Sequence, residues 1–109
     1  NQIKKMDVKG KLEILMHDGT KAVLSMKELE SSVRKGCHIC TDLTSVFADI
    51  SAGAVGSSAG STTLIIRTLT GKSFVDSAVQ NKQLSVGGTV DLAAIEKLAQ
   101  GKIDKNTQR

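Results

Sequence analysis

The first 25 residues of the chain alternate apolar and polar side chains in the manner of β-strands. The ranges 2–8 and 11–17 each follow a period of two, which predicts two strands separated by a short turn. Asp18-Gly19 is a strong hairpin signal and predicts a third strand around residues 22–24. We therefore expect an antiparallel β-meander at the N-terminus.

Helical spacing replaces this alternation after Ser25. Ser25 and Glu28 have the S-x-x-E form of a capping box, and the apolar residues that follow recur every three or four positions. Gly36 is a suitable C-terminal stop, so the pattern predicts a helix that ends there. Such a helix places Cys37 and Cys40 in a turn at its exit.

The second half of the chain mixes strand and helix signals. The predicted elements are strands at 48–52, 62–68 and 84–86, a helix at 73–81 and a last helix from Asp91 to Gly101. Together with the meander, these elements predict an α+β fold with a mainly antiparallel sheet and about three helices.

Composition agrees with one globular domain. The chain has 109 residues, of which 39% are hydrophobic and 24% charged, and its two phenylalanines are its only aromatic residues besides histidine. The core must therefore be aliphatic. We expect a single α+β domain over 1–103 with a frayed tail at 104–109. Because the first residue is Asn and strand-like sequence starts almost at once, we interpret the chain as a fragment of a longer polypeptide.

The charge pattern argues against several classes of partner. The net charge of +4 comes largely from lysines near the two ends, and the range 41–66 has neither Lys nor Arg. A nucleic-acid surface usually combines a basic stripe with stacking aromatics or a reading helix, and we see neither. No apolar run approaches the ~18 residues of a membrane span, and no signal-peptide pattern is present. We expect a cytoplasmic protein with no nucleic-acid partner and no membrane span.

Cys37 and Cys40 form a C-x-x-C pair, which serves several chemistries. A structural zinc site needs four ligands drawn from Cys and His. The two cysteines together with His17 and His38 do not have the spacing of such a site. A thioredoxin-like centre lies at a helix N-terminus, whereas this pair follows a helix. Two interpretations of the pair stay open. The cysteines are either small structural side chains or half of a four-thiolate iron–sulfur site. No Ser/His/Asp constellation is visible, so we assign no catalytic residue.

The segment GAVGSSAGS, residues 53–61, is either a flexible surface loop or a backbone cradle for an anionic ligand. It matches neither G-x-G-x-x-G nor a P-loop. Arg67 follows it and can bind phosphate through its guanidinium fork, or it can pair with Asp42 or Asp49. Asp49 itself can accept a hydrogen bond from a ribityl or ribose hydroxyl, or cap the loop.

Taken together, RKGCHICTDLTSVFADISAGAVGSSAGSTTLIIRT resembles the C-terminal domain of the coenzyme F(420)-reducing hydrogenase beta-subunit family, which includes related formate dehydrogenase and sulfite reductase modules. The selective part is C-x-x-C-x-D-x-T followed by A-D-I-S-x-G-x-x-G, then S-T and I-I-R-T. The likeness starts before this segment, at DGTKAVLS, and runs to about Ala78, so it covers most of the chain. The family's N-terminal domain, with further cysteines and flavin contacts, has no counterpart here.

The resemblance implies an iron–sulfur flavoprotein that passes electrons between a 4Fe-4S cluster, FAD and the deazaflavin coenzyme F(420). Cys37 and Cys40 then look like cluster ligands. The residues that look like part of the flavin-site wall are Asp49, Ser51, Gly53, Gly56, Gly60, Ser61, Thr62 and Arg67. The implied partners are the missing N-terminal domain of the same subunit and other hydrogenase or dehydrogenase redox subunits, and we expect the fragment to be inactive alone. Two alternatives stay open: a docking domain with structural cysteines, and zinc binding completed across a dimer.

Overall fold

The structure is a computed structural model that describes residues 2–108. Its backbone contacts divide the chain into two compact units, 1–38 and 39–109. Asn1 and Arg109, including the end of the predicted tail, lie outside the described residues. That residues 1–103 form a single domain stays a prediction.

The first unit is built on an antiparallel sheet. Its strands are β1 (Ile3–Val8), β2 (Lys11–Met16) and β3 (Lys21–Ser25), in the order β1-β2-β3. Leu12 stands opposite Val8 on one neighbouring strand and Leu24 on the other, so these three apolar side chains share one face of the sheet. Leu12 is buried there. The predicted meander is confirmed.

The first helix, α1 (Met26–Leu29), begins as predicted. The Glu28 N–H donates to the Ser25 hydroxyl at 3.3 Å, and the Ser25 N–H donates to the Glu28 carboxylate at 2.7 Å. This reciprocal pair completes the capping box. Hydrogen bonds from the side chain and the backbone of Ser25 also hold the pKa of Glu28 below its ordinary value.

The prediction that this helix continues to Gly36 is wrong. A 3-10 turn, Glu30–Ser32, follows α1, Val33 is extended, and a second 3-10 turn, Lys35–His38, carries Cys37. Serine and β-branched valine are weak helix formers, and a helix this short depends on packing for its stability. Since α1 has no buried residue, packing does not extend it.

The second unit holds a two-stranded antiparallel sheet and two longer helices. Its elements are β4 (Ile50–Gly53), β5 (Thr63–Ile66), α2 (Leu69–Gln80) and α3 (Leu92–Thr107). In the β4–β5 pair, Ser51 stands opposite Ile65 and Gly53 opposite Thr63. The glycine-rich segment therefore joins two paired strands as a hairpin loop. Because residues 2–108 form three α-helices and two antiparallel sheets, the predicted α+β class is confirmed.

The two helices differ from their predicted bounds. α2 begins four residues before the predicted start at 73, because the Thr68 hydroxyl caps it by accepting from the Gly71 N–H. The predicted strand at 84–86 is not formed. α3 is capped by Asp91 as predicted, but it passes through Gly101 and ends at Thr107. A single glycine costs a helix only about 1 kcal/mol, which packing can outweigh.

Within residues 2–108, no helix combines the length and the apolar character that a membrane span requires.

Candidate functional site

The two cysteines lie on either side of the boundary between the compact units. Cys37 is exposed in the 3-10 turn Lys35–His38, and Cys40 is half-buried in the segment that follows. Thiolates are ligands that iron–sulfur clusters and zinc both accept. Among residues 2–108, however, no group of three or more His, Cys, Asp or Glu side chains could hold a metal ion. The two thiols are thus suitable in kind for a cluster, but they would supply only half of a four-thiolate ligand set.

Cys40 is held in place by the far end of α3. The Asn106 side-chain amide donates to the Cys40 carbonyl at 2.5 Å, and the Lys102 ammonium donates to the Asp42 carbonyl at 2.6 Å. The Cys40 thiol also points to the Asp42 carbonyl, at 3.5 Å. The predicted tail thus contains, at 104–107, the last turn of a helix. This helix holds the segment around Cys40, residues 40–42.

Asp42 organises the turn that follows. Its carboxylate accepts from the Thr44 N–H at 3.1 Å and from the Val46 N–H at 3.0 Å, and Ser45 takes a left-handed φ of 55°. The D-x-T part of the motif is thus an aspartate-capped turn. Its effect is to direct the carbonyl and hydroxyl of Thr44 toward β4 and β5.

Arg67, at the end of β5, joins this turn to β4. One guanidinium nitrogen donates to the Ser51 hydroxyl at 2.6 Å, and the other donates to the Thr44 carbonyl at 2.9 Å and hydroxyl at 3.1 Å. The Ser51 hydroxyl in turn donates to the Thr44 carbonyl at 2.5 Å. The three segments D-x-T, A-D-I-S and I-I-R-T therefore meet in one hydrogen-bonded group, which we call the arginine network (Thr44, Ser51 and Arg67).

The charge of this network is positive. All the acceptors that Arg67 reaches are neutral, and in the described part of the chain the ion pairs are Lys5–Asp7, Lys11–Glu13 and Lys72–Asp76. The alternative pairing of Arg67 with Asp42 or Asp49 is thus not formed. An anionic group that approached Arg67 would meet a positive charge that, within residues 2–108, has no ion-pair partner.

Asp49 anchors the start of α2. Its carboxylate accepts from the Thr68 hydroxyl at 2.5 Å, and its carbonyl accepts from the Arg67 N–H at 2.9 Å. The helix comes so close here that a Cβ on Gly71 would stand 2.5 Å from the Asp49 carbonyl oxygen. Asp49 therefore has a structural hydrogen bond, which the sequence pattern did not reveal.

The glycine loop is held by its own serines and by α3. Gly56 has a φ of +85° and its carbonyl accepts from the Asp91 N–H at 2.8 Å, while a Cβ on Gly56 would stand 2.8 Å from the Asp91 carbonyl. Ser57 donates to the Ser61 carbonyl at 3.1 Å. Gly60 also has a positive φ, of +83°. At Gly56 the missing side chain therefore makes room for α3.

Other parts of the loop are open. No atom lies within 4 Å of a Cβ built on Gly53 or Gly60, and Ser61 and Thr62 are exposed. Close approach by a ligand is therefore sterically possible at Gly53 and Gly60.

A cleft of about 430 Å³ lies between the β4–β5 hairpin, the turn after Asp42 and α3. Its lining residues are Leu43, Thr44, Ser45, Ala48, Ile50, Ser51, Ala52, Gly53, Val55, Thr63, Ile65, Ile95 and Leu98. The cleft has the size and the mostly apolar wall of a small-molecule site, with hydroxyl groups at a few points. Of the predicted ligand residues, Ser51 and Gly53 line it.

Sequence reasoning missed Thr44, Ile95 and Leu98 as cleft residues. Ile95 and Leu98 are three positions apart, so helical spacing places them on one face of α3. That spacing predicts a buried face and does not distinguish a core from the wall of a cleft. For Thr44 the sequence does contain a local signal, the D-x-T turn. The carbonyl and hydroxyl of Thr44 in this turn need hydrogen-bond donors from elsewhere in the chain.

The structure thus combines an α+β fold, a cleft of small-molecule size and a C-x-x-C pair. The sequence model for the C terminus of the coenzyme F420 hydrogenase/dehydrogenase beta subunit matches residues 1–91. The chain belongs to this family, as the motif resemblance predicted.

Relatives of known name agree with this assignment. The chain is 38% identical over 111 residues to coenzyme F420 hydrogenase subunit beta of Methanosarcina barkeri, covering 95% of this chain and 38% of that one. It is 38% identical over 105 residues to the coenzyme F420-dependent sulfite reductase of Methanocaldococcus jannaschii, covering 95% of this chain and 16% of the relative. The chain therefore spans well under half the length of these relatives.

A solved structure shares the fold. A chain of the F420-reducing NiFe hydrogenase complex from Methanosarcina barkeri superposes with a TM-score of 0.75 at 36% identity. The match covers 98% of this chain and 38% of that chain.

Removing the guanidinium of Arg67 tests the arginine network. We expect Arg67→Met to lower the free energy of unfolding by about 1–2 kcal/mol, because Thr44 and Ser51 lose a charged hydrogen-bond donor in a half-buried place. Urea unfolding followed by circular dichroism measures this change. The matched control is Lys72→Met, which breaks an exposed ion pair with Asp76 and should cost no more than about 0.5 kcal/mol. Equal effects in the two variants would contradict the network's role.

Proposed function

We propose that this chain is the C-terminal part of an F(420)-linked redox subunit, in which it forms one wall of a flavin site and supplies two ligands of a 4Fe-4S cluster. The observation that carries this proposal is the arginine network beside the cleft, which gathers the D-x-T, A-D-I-S and I-I-R-T segments. Membership of the coenzyme F420 hydrogenase/dehydrogenase beta-subunit family supports the F(420)-linked part. The complete subunit would thus be an oxidoreductase with F(420) as its substrate.

The cleft has the chemistry that a flavin requires. Ile65, Ile95 and Leu98 offer apolar surface to a ring system, while Ser51 and Thr44 bring polar atoms to the same wall. Flavins, when bound, convert two-electron hydride transfer into one-electron steps. The residues of this chain bind and orient such a ring and exclude water from one of its sides. The positive charge of Arg67 favours an anionic part of the ligand nearby, and FAD carries such a part in its diphosphate.

The cysteines serve the cluster. Cys37 and Cys40 supply thiolates, which iron prefers to oxygen donors, and the remaining ligands come from elsewhere in the subunit. Since this chain would hold part of the ligand set and one wall of the flavin site, we expect it to be inactive alone. Its partners would be the N-terminal domain of the same subunit and further hydrogenase or dehydrogenase subunits, and its location the cytoplasm.

Filling the cleft tests the flavin site. Ala52 is exposed on the cleft wall, so Ala52→Phe places a ring in the cleft without entering a core. In the complete subunit, we expect this change to weaken flavin binding at least about tenfold. Flavin titration by fluorescence or calorimetry measures the affinity. The control is Ala59→Phe, which adds the same ring to an exposed loop position outside the cleft. Flavin affinity that is equal in the two variants counts against the proposal.

A docking domain is the second candidate, and one observation favours it. Several large apolar side chains are strongly exposed, among them Phe47 at 100%, Leu69 at 86% and Phe74 at 68%. Exposed apolar surface of this kind commonly marks a protein interface. If docking were the only function, the Ala52→Phe change would leave flavin affinity unaltered, while Phe47→Ser and Phe74→Ser would weaken assembly with other redox subunits.

A further inference from the structure

The segment around Cys40 has no regular secondary structure of its own. Residues 40–42 belong to neither a helix nor a strand. Fixing the backbone of such a residue costs about 1–2 kcal/mol in conformational entropy, so a thiol held in one direction needs contacts from outside the segment.

Those contacts come from two residues one turn apart on α3. Lys102 and Asn106 are four positions apart and therefore lie on the same side of the helix. They donate to the carbonyls of Asp42 and Cys40, which stand on either side of Thr41. Both donors are half-buried, and they are 60 and 66 residues from their acceptors in the sequence. The ties are therefore tertiary contacts.

The same helix also reaches the cleft. Asp91, the N-cap of α3, lies against Gly56. Along the helix, Ile95 and Leu98 line the cleft, and Asn106 near its end contacts Cys40. A helix of 16 residues is about 24 Å long and bends little. It therefore sets the position of the cysteine segment relative to the cleft wall.

We propose that Lys102 and Asn106 are positioning residues for Cys40: Asn106 holds its backbone, and Lys102 holds the Asp42 carbonyl to which the thiol points, so that the thiol keeps one direction. The importance of this for a cluster rests on the proposed function, in which Cys40 is a ligand. The positioning itself does not depend on a cluster and can be measured in this 109-residue chain.

The test measures how fast a small neutral reagent alkylates Cys40, with Cys37→Ser as the common background. We expect Asn106→Leu and Lys102→Met each to raise the alkylation rate about fivefold, the change that loss of one hydrogen bond makes in a local opening equilibrium. Matched controls lie on the same helix. Gln100→Leu removes an amide that donates to Asp104, and Lys105→Met removes an exposed ammonium. Both controls should leave the rate unchanged.

Hydrogen exchange by mass spectrometry separates a local effect from general unfolding. In the Asn106 and Lys102 variants, we expect faster exchange over residues 40–46 and unaltered exchange over α2 (Leu69–Gln80). Unchanged alkylation and unchanged exchange at 40–46, or the same acceleration in α2, would overturn the proposal.

Iron content distinguishes this failure from a failure of the proposed function. If Cys40→Ser leaves the iron of the complete subunit intact while Asn106→Leu still speeds alkylation, the positioning holds and the cluster assignment fails. If Cys40→Ser removes iron while Asn106→Leu changes neither alkylation nor exchange, the cluster assignment holds and the positioning fails.

Discussion

Replacement of Cys37 and Cys40 by serine in the complete subunit is expected to remove one cluster, about four iron atoms per subunit. Serine keeps its proton at neutral pH and offers a hard oxygen, whereas iron–sulfur clusters are held by soft thiolates. Each single substitution should already lower the iron content, because a 4Fe-4S cluster is held by four thiolates. Anaerobic reconstitution followed by iron analysis and visible absorbance measures the outcome.

Histidine variants serve as controls and separate iron from zinc. His17→Asn and His38→Asn should leave iron content unchanged if thiolates alone hold the cluster. A zinc site completed across a dimer would instead give one zinc per two chains, a ratio expected from a ligand set shared by two copies. If the double cysteine variant kept its iron content and its cluster absorbance, the assignment of Cys37 and Cys40 as ligands would be contradicted.

The second large effect concerns the fold. We expect Gly71→Ala to lower the free energy of unfolding by about 1–3 kcal/mol, as overpacking of a tight contact does. The new Cβ would stand 2.5 Å from the Asp49 carbonyl oxygen and 2.9 Å from Cγ1 of Ile50. Because the nearest of these atoms is backbone, it cannot move aside without shifting β4 or the start of α2. Urea unfolding monitored by circular dichroism gives the change.

Gly101→Ala is the control, since it makes the same change inside another helix. No atom lies within 4 Å of a Cβ built on Gly101, so Ala adds helix propensity without a clash. We expect this variant to gain up to about 1 kcal/mol, opposite in sign to Gly71→Ala. If both variants gained stability, the close approach of α2 to Asp49 would be refuted.

The meander and the first helix start were predictable because their determinants are local. The Asp18-Gly19 turn brings β2 and β3 together within a few residues, and Ser25 and Glu28 cap α1 across three positions. Such contacts close short loops, so the side chains involved are neighbours in the sequence as well. The end of α1 was missed because the choice between an α-helix and a 3-10 turn depends on packing that local spacing does not specify.

The candidate site was predictable as a set of residue types and not as an arrangement. The motif segments predicted Arg67 and Ser51 as site residues, but their common partner Thr44 emerges only when the chain folds. The glycine pattern predicted that a ligand comes close to Gly56. In the structure, the backbone close to Gly56 is instead that of Asp91 at the start of α3. A glycine pattern indicates a close approach, but it does not distinguish a ligand from another part of the backbone.

Local patterns and motifs were enough to predict the α+β class, the meander, the capping box and the family to which the chain belongs. Tertiary structure alone decided three things: the partners of Arg67, the tight contact at Gly71, and the tie between Asn106 and Cys40. The partners of Arg67 are 16 and 23 residues away, and Cys40 lies 66 residues from Asn106. Contacts at such separations depend on how whole elements pack, and local propensity carries no information about which of many distant carbonyls a given donor will meet.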